Sequence, residues 1–500
     1  MKDKILFWIF SDFTHFGLSK FFQDNHECEL YAIYDVTNNL KNYFQKQKLV
    51  KFEKEFYLHD HIQKNEKNID LEYLKSIENK YNLELLNLAF NERQFYHPNS
   101  LYKFKDNEVL LIIEQECKLF EKVLDDIKPD YVLMHPPNFH NDQIFSVMCK
   151  HRKIKTRMLG FSRFGRRSII TSEFDKFDDQ TNEINENEKV RSQKELLDYL
   201  KGFDYHADNV EFASNLMSSK YLMIKALFHY LLLADNNTNL YTYYGRTKIN
   251  ALIFTITLNI KEKFRESFMN SNLEKTLPHD SPFLYFPLQL DQENGLLLGA
   301  PFYTNQLEVI RTIAKSLPVG YKLYVKEHPV MNARGWRPTS FYKEIMDLPH
   351  VKLFHPGFSN EQILKNCSAV ITISSTAGME AAFYGKPSIV FVDVLYSMLQ
   401  SVHKLNSYQD LPAMIKTILQ TKVNESDVNK FVNYFEKRSF EFDLFGFTTK
   451  SSNYFRYGGF LHDMRVDDNI VLSFLKDHKP QYESLMTQYL KSMHLEKKQK

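Results

Sequence analysis

Cysteine is scarce in this chain: Cys28, Cys117, Cys149 and Cys367 are scattered over 500 residues with no CxxC pair. Neither a disulfide framework nor a thiolate metal site follows from such spacing, and a reducing cytoplasm is the expected compartment. Glycine-rich phosphate loops are missing too, because no GxGxxG and no GxxxxGK[ST] occurs. Dinucleotide and P-loop readings lose their basis. Long apolar runs are also lacking. Ile5–Phe10 is shorter than a signal-peptide core and has no small-residue cleavage site. Ala251–Ile260 is broken by Thr and Asn and is too short to cross a bilayer. The expected protein is soluble, at most peripheral at the inner face of a membrane. No charge of one sign dominates: 64 Lys and Arg stand against 62 Asp and Glu, a formal charge of +2. That balance gives no reason to expect nucleic acid as a partner. No His, Asp and Glu set has metal-ligand spacing, since the HxH pair His59 and His61 has no evident third partner. No metal and no cofactor are expected.

What is present is length and alternation. A chain of 500 residues with 43% hydrophobic content exceeds one ordinary core, so two domains are expected. In the first third, Ile5–Phe10, Leu30–Tyr34 and Tyr131–Met134 read as strands, with a long amphipathic helix over Glu108–Asp126. Strands and helices in that order predict a parallel sheet with crossover helices. A polar, acidic stretch from Glu173 to Glu188 then reads as a surface loop. Val190–Asn272 has a helical pattern, including Tyr221–Ala234 and a basic, aromatic-rich stretch from Tyr241 to Phe268. It reads as a helical bridge in preference to a membrane-surface or acceptor-docking helix.

Between Phe283 and Val394, strands at Phe283–Phe286, Lys322–Lys326, Val351–Phe354, Ala369–Ile373 and Ser388–Val392 alternate with helices and describe a doubly wound α/β domain. Ser359 and Gln362 have capping-box spacing, and Gly385 followed by Pro387 stops the helix that begins near Thr376. The expected fold class is α/β, with two Rossmann-like lobes, a central cleft and a helical insertion. Residues 1–172 form the first lobe, 173–275 the linker and insertion, and 276–423 the second lobe. Residues 424–500 form helices that pack back on the first lobe.

Ligands of open α/β sheets bind beyond the carboxyl ends of the strands, where helix starts and free loop amides converge. In the second lobe this selects Gln289 and Asp291, then Lys326 with His328 and Pro329, then Ser374, Ser375, Thr376 and Gly378. The serine turn runs from a strand straight into a helix and suits a phosphate, although a plain N-cap has the same sequence. Glu380 lies further along, within reach of a ribose. Pro329 fixes the turn that holds the His328 imidazole at a strand exit. Three neighbouring exits of this kind point to a nucleotide phosphate.

The run Lys326-Glu327-His328-Pro329, with Ser374-Ser375-Thr376 and Glu380-Ala381 before Gly385-Lys386-Pro387, resembles the capsule polysaccharide biosynthesis family, which includes Kdo transferases. It is also similar to bacterial sialyltransferases of the GT-B type. The resemblance covers Phe283–Val394. It implies a GT-B fold and a metal-independent glycosyltransferase that uses a CMP-sugar donor, with a glycan or glycolipid acceptor held by the first lobe. His328, Ser374 and Ser375 would contact the phosphate, and Gln289 and Asp291 would lie near the sugar. The acidic-acidic-Gly motif that carries the base in sialyltransferase-like enzymes does not occur. Asp12 is favoured as the base over His15, both leaving the first strand, while His135, His140 and Asp142 leave the third. Capping of the following helices is the competing role for all five. Arg163, Arg166 and Arg167 form a basic cluster suited to a carboxylate or phosphate. Other readings are a CDP-glycerol or CDP-ribitol phosphotransferase, a UDP-sugar 2-epimerase-like enzyme, and a non-catalytic scaffold.

Overall fold

A computed structural model describes residues 2–63, 68–96, 102–178, 189–202, 220–233, 248–278, 281–331, 337–461 and 464–494. The end of the acidic stretch, the start of the basic aromatic stretch and the Lys-rich tail lie outside these residues. Two sheets organise the chain. The first has the order β13-β6-β5-β4-β1-β2-β3, with β1 (Asp3–Ile9), β2 (Cys28–Tyr34), β3 (Lys54–Tyr57), β4 (Tyr131–Met134) and β5 (Lys155–Phe161) parallel. At its edge, β6 (Arg167–Thr171) and β13 (Phe440–Glu441) run antiparallel. The second is wholly parallel in the order β12-β11-β10-β7-β8-β9. It comprises β7 (Phe283–Pro287), β8 (Lys322–Lys326), β9 (Val351–Phe354), β10 (Ala369–Thr372), β11 (Ser388–Val390) and β12 (Val402–Lys404). Two Rossmann-like lobes are therefore present, as the alternation predicts. The sequence reading lacks β3, β6, β12 and β13, which are short or sit at edges where the hydrophobic period is weak, and it also lacks the interior strand β5.

The central strand β1 is apolar on both sides because parallel strands are covered twice. Its alternate side chains feed two cores: Leu6 and Trp8 meet the helices at Asp106–Ile127 and His140–His151, while Ile5, Phe7 and Ile9 meet residues as distant as Phe474, Tyr482 and Tyr489. The C-terminal helices thus build one face of the first lobe. They approach closely. A Cβ on Gly17 would stand 2.2 Å from the Tyr482 ring, and the Tyr482 hydroxyl donates to the Phe13 carbonyl at 3.2 Å. Phe13 has φ 60°, a left-handed conformation costly for an aromatic residue, and its ring stacks on Phe455 at 4.0 Å.

The tail divides, unlike the single packing direction expected for 424–500. Helix Glu425–Arg438 places Val428, Phe431 and Phe435 against Met379 and Phe383 of the second lobe and Phe164 of the first. Only Leu444–Phe455, Asp468–Asp477 and Lys479–Met493 cover the first sheet. The segment read as a bridge also divides, since helix Gln193–Lys201 packs on the second lobe, with Gln193 Nε2 donating to the Phe383 carbonyl at 2.5 Å.

Beneath the cleft side of the first lobe, His140 lies wholly buried between Glu92 and Glu116, with each imidazole nitrogen 2.8 Å from a carboxylate oxygen. Burial opposes its charge, but Glu116 and Glu92 prevail and raise its pKa to about 10. The stabilisation from this ion triad is complete below the unfolded histidine value of about 6.5 and is lost as pH rises through the folded value. Replacing His140 by leucine leaves two buried carboxylates unpaired. It should cost about 3–5 kcal/mol and lower the first transition seen by differential scanning calorimetry. Gly17→Ala should cost about 1–3 kcal/mol in the same measurement by pushing Tyr482 away.

Candidate functional site

Both sheets change winding direction beside their first strand. In the first lobe the switch lies between β1 and β4, and in the second between β7 and β10. Loops leaving these four strands are free to reach outward, which is why such points hold ligands. The two switch points face one cleft of about 1090 Å³. Asp12, His15 and His135 line it from one side, and Gln289, Lys326, His328, Pro329, Ser374, Ser375, Thr376 and Glu380 from the other. Hydrogen bonds cross between the walls: Arg93 Nη1 donates to the Gln292 carbonyl at 2.6 Å, and Asn294 Nδ2 to the Pro137 carbonyl at 3.0 Å.

On the second-lobe wall, Lys326 ends β8 with only 3% of its surface exposed, and its Nζ donates to Asn360 Oδ1 at 2.5 Å. Burial lowers its pKa to about 8, against the pull of the Glu380 carboxylate. His328 accepts a 3.2 Å hydrogen bond on Nδ1 from the Val330 amide, so its neutral form carries the proton on Nε2. The amide of His328 donates to Glu327 Oε1 at 2.6 Å. Ser374 is 2% exposed, and its Oγ accepts from Gln289 Nε2 at 2.8 Å. Ser375 Oγ accepts from the Ala377 amide, and Thr376 Oγ1 donates to Glu380 Oε1 at 2.9 Å. Helix Ala377–Phe383 is only seven residues long, so the hydroxyls and Lys326 supply more of the local polarity than its dipole does.

Two of the residues picked from the sequence stand elsewhere. Asp291 does not line the cleft, because Arg337 takes both of its oxygens, Nε to Oδ2 at 2.9 Å and Nη2 to Oδ1 at 2.7 Å, and Gln306 adds a third bond at 2.7 Å. Gly378 sits behind the serine turn, where a Cβ would stand 2.8 Å from the Tyr396 hydroxyl. Arg337 is the larger surprise. Its buried guanidinium also pairs with Glu327 and donates to the Gln289 carbonyl, tying the loops after β7 and β8 together.

On the first-lobe wall, Asp12 Oδ1 accepts from the Thr14 amide at 3.0 Å, a turn contact ahead of the helix, whose N-cap is Phe13 and has no side-chain cap. His15 is 3% exposed, with Nε2 3.3 Å from the Tyr489 hydroxyl. Burial lowers its pKa to about 4, outweighing the Asp12 carboxylate, so it is neutral at pH 7. His135 is 3.1 Å from the fully buried Asp142 and lies against the Phe10 ring at 5.7 Å. Burial works against its charge, but Asp142, Asp12 and Asp35 raise its pKa above the usual value. Of the basic cluster, Arg163 alone reaches the cleft: a Cβ on Gly295 would stand 3.4 Å from its Nη2 and 3.8 Å from Ser374 Oγ. Arg166 is exposed, and Arg167 holds Ser439 at 2.7 Å.

Arg456 comes from the end of helix Leu444–Phe455, far along the chain, and no motif marks it. Its Nη2 donates to Ser11 Oγ at 2.8 Å, its guanidinium faces Phe10, and its Nε has no hydrogen-bond partner among the described residues. A carboxylate or phosphate oxygen suits that place.

Residues 206–417 match the family described as "Capsule polysaccharide biosynthesis protein". No curated protein matches the chain in sequence. Among solved structures, the β-Kdo 2,7 transferase of Thermosulfurimonas dismutans KpsC is 10% identical, with 63% of this chain and 79% of that one covered and a TM-score of 0.28. The β-Kdo 2,4 transferase of the same protein is 12% identical over 61% and 79%, with a TM-score of 0.29. The UDP-GlcNAc 2-epimerase of Methanocaldococcus jannaschii is 12% identical over 87% and 100%, with a TM-score of 0.28. None of these likenesses bears on the chemistry of the cleft. The matched segment, residues 206–417, is similar in sequence to the capsule polysaccharide biosynthesis family and carries the Lys326–Pro329 and Ser374–Thr376 motifs.

Proposed function

We propose that the protein is a metal-independent glycosyltransferase of capsule or surface polysaccharide synthesis, taking a CMP-activated sugar of the Kdo or sialic-acid kind. Its acceptor is a glycan or glycolipid bound by the first lobe. The observation that carries this reading is the meeting of Lys326, His328 and the Ser374–Thr376 turn at one wall of the cleft that Asp12 lines from the other. In the transfer, an acceptor hydroxyl oxygen bonds to the anomeric carbon as that carbon's bond to the CMP phosphate breaks. The electron pair leaves with the phosphate, and the Lys326 ammonium and the His328 Nε2 proton stabilise it. Asp12 takes the hydroxyl proton. Arg456 offers a guanidinium beside Asp12, and His135, whose pKa Asp142 raises against burial, an imidazole, for a sugar carboxylate or an acceptor phosphate. Because protein cations serve the leaving group, added chelator should leave the rate unchanged.

The first test is a thermal-shift titration with CMP, CDP, UMP and UDP. CMP should raise the melting temperature most, since a ligand bound only by the folded state stabilises it. A shift confined to UMP and UDP would reject the cytidine donor. His328→Ala and Ser375→Ala should each lose the CMP shift without changing the apo melting temperature by more than a few degrees. A second test uses pH. Lys326 binds phosphate in its charged form, so CMP affinity should fall as pH rises through about 8, by up to about tenfold per unit. Calorimetric titrations of Lys326→Met should show weak, pH-independent binding instead. Asp12→Asn should keep the CMP shift and lower kcat by about 10²–10⁴-fold in a CMP-release assay. A full-rate Asp12→Asn enzyme would remove Asp12 from the mechanism.

A further inference from the structure

The helix Lys248–Asn272 presents Ile249, Ile253, Ile256, Ile260 and Phe264 along one side, each 54–73% exposed. Their spacing of three and four residues places them in one stripe about four turns long. Helix Lys220–Phe228 and the turn after it add Tyr221, Ile224, Phe228 and Leu232, at 58–74% exposed. Lys248 Nζ donates to the Leu231 carbonyl at 3.0 Å and joins the two segments. Solvent-exposed apolar side chains in such number on adjoining helices mark a surface that something covers. At its far end the long helix is anchored by Met269, and just beyond it by Leu273, both in the second lobe's core.

We propose that these two segments lie flat on an anionic bilayer. The charge pattern selects that partner: among the described residues of these helices, exposed Lys225, Lys261 and Lys263, with Lys248 and Arg265, flank the apolar stripe against Glu262 and Glu266. Cations beside an apolar face are the pattern of interfacial helices, and each adds attraction to anionic headgroups. Spanning is not the mode, because no helix among the described residues is long and apolar enough to cross a membrane. The surface also adjoins the cleft. Lys225 lies 5.3 Å over the Tyr457 ring, and the neighbouring Arg456 lines the first-lobe wall. Bilayer docking therefore brings the acceptor side of the cleft near the headgroups, which fits an acceptor carried on a lipid. That last step rests on the proposed function, whereas the docking itself does not.

The test is co-sedimentation of the full chain with vesicles of phosphatidylcholine alone or with phosphatidylglycerol added. The protein should pellet with the anionic vesicles, and less in high salt. The triple variant Ile253→Glu, Ile256→Glu, Ile260→Glu should bind them at least about tenfold more weakly. Its CMP thermal shift shows whether it is folded, and Lys261→Glu with Lys263→Glu gives a second, milder loss of binding. Wild-type protein that stays in the supernatant with both vesicle types would overturn the proposal. So would a dimer in vesicle-free buffer that the triple variant dissociates, since a second copy would then cover the stripe. Vesicle binding without any nucleotide shift would reject the donor reading and leave the docking surface standing.

Discussion

The second lobe's site depends on one buried guanidinium. Arg337 meets Glu327 after β8, and Asp291 and the Gln289 carbonyl after β7, while Tyr342 donates to the same Glu327 at 2.7 Å. Burial alone would weaken the cation, but the two carboxylates raise its pKa, so it is permanently charged. Removing Arg337 would leave the Glu327 carboxylate in the interior without its cation, at a cost of about 3–5 kcal/mol. The two strand exits are therefore fixed relative to each other. Their fixed spacing holds Lys326, His328 and Gln289 on a common wall, and Gln289 in turn fixes Ser374. Arg337 never touches the cleft, yet it sets the geometry there.

Electrostatics then divides the labour between the walls. The second lobe surrounds Lys326 with apolar packing until its ammonium is only weakly held, a poised cation that an arriving phosphate would restore to full charge. The first lobe does the opposite. Asp142 and its neighbours strengthen His135 as a base, and burial leaves His15 neutral beside it. The two histidines differ although they share a wall, because one faces a buried carboxylate and the other a tyrosine hydroxyl.

The sequence made much of this legible. Short apolar runs such as Tyr131–Met134 and Leu323–Val325, alternating with helical segments, have the pattern of a covered parallel sheet, and the sheet-edge rule then points to Lys326, His328 and Ser374. Asp291 was harder to read. A carboxylate two residues after Gln289 resembles a ligand, and nothing in the local pattern shows that a guanidinium 46 residues later consumes it. Arg456 was silent for the same reason, since its place beside Ser11 depends on a contact across 445 residues. The isoleucine stripe has helical period either way; only the fold shows that it faces outward.

The route of the chain has a consequence for how the molecule is made. Residues from Phe283 to Lys404 hold the whole second sheet in one stretch, and of the described elements that pack on it only Glu425–Arg438 follows Ile418, so that lobe can assemble soon after it leaves the ribosome. The first lobe cannot. Half of its core waits for Phe474, Tyr482 and Tyr489, synthesised some 450 residues after the β1 strand they cover. Until then Ile5, Phe7 and Ile9 have only a partial lid, the helix Thr14–Asn25 whose Phe22 ring meets Phe7, and apolar surface of the nascent first lobe stays open.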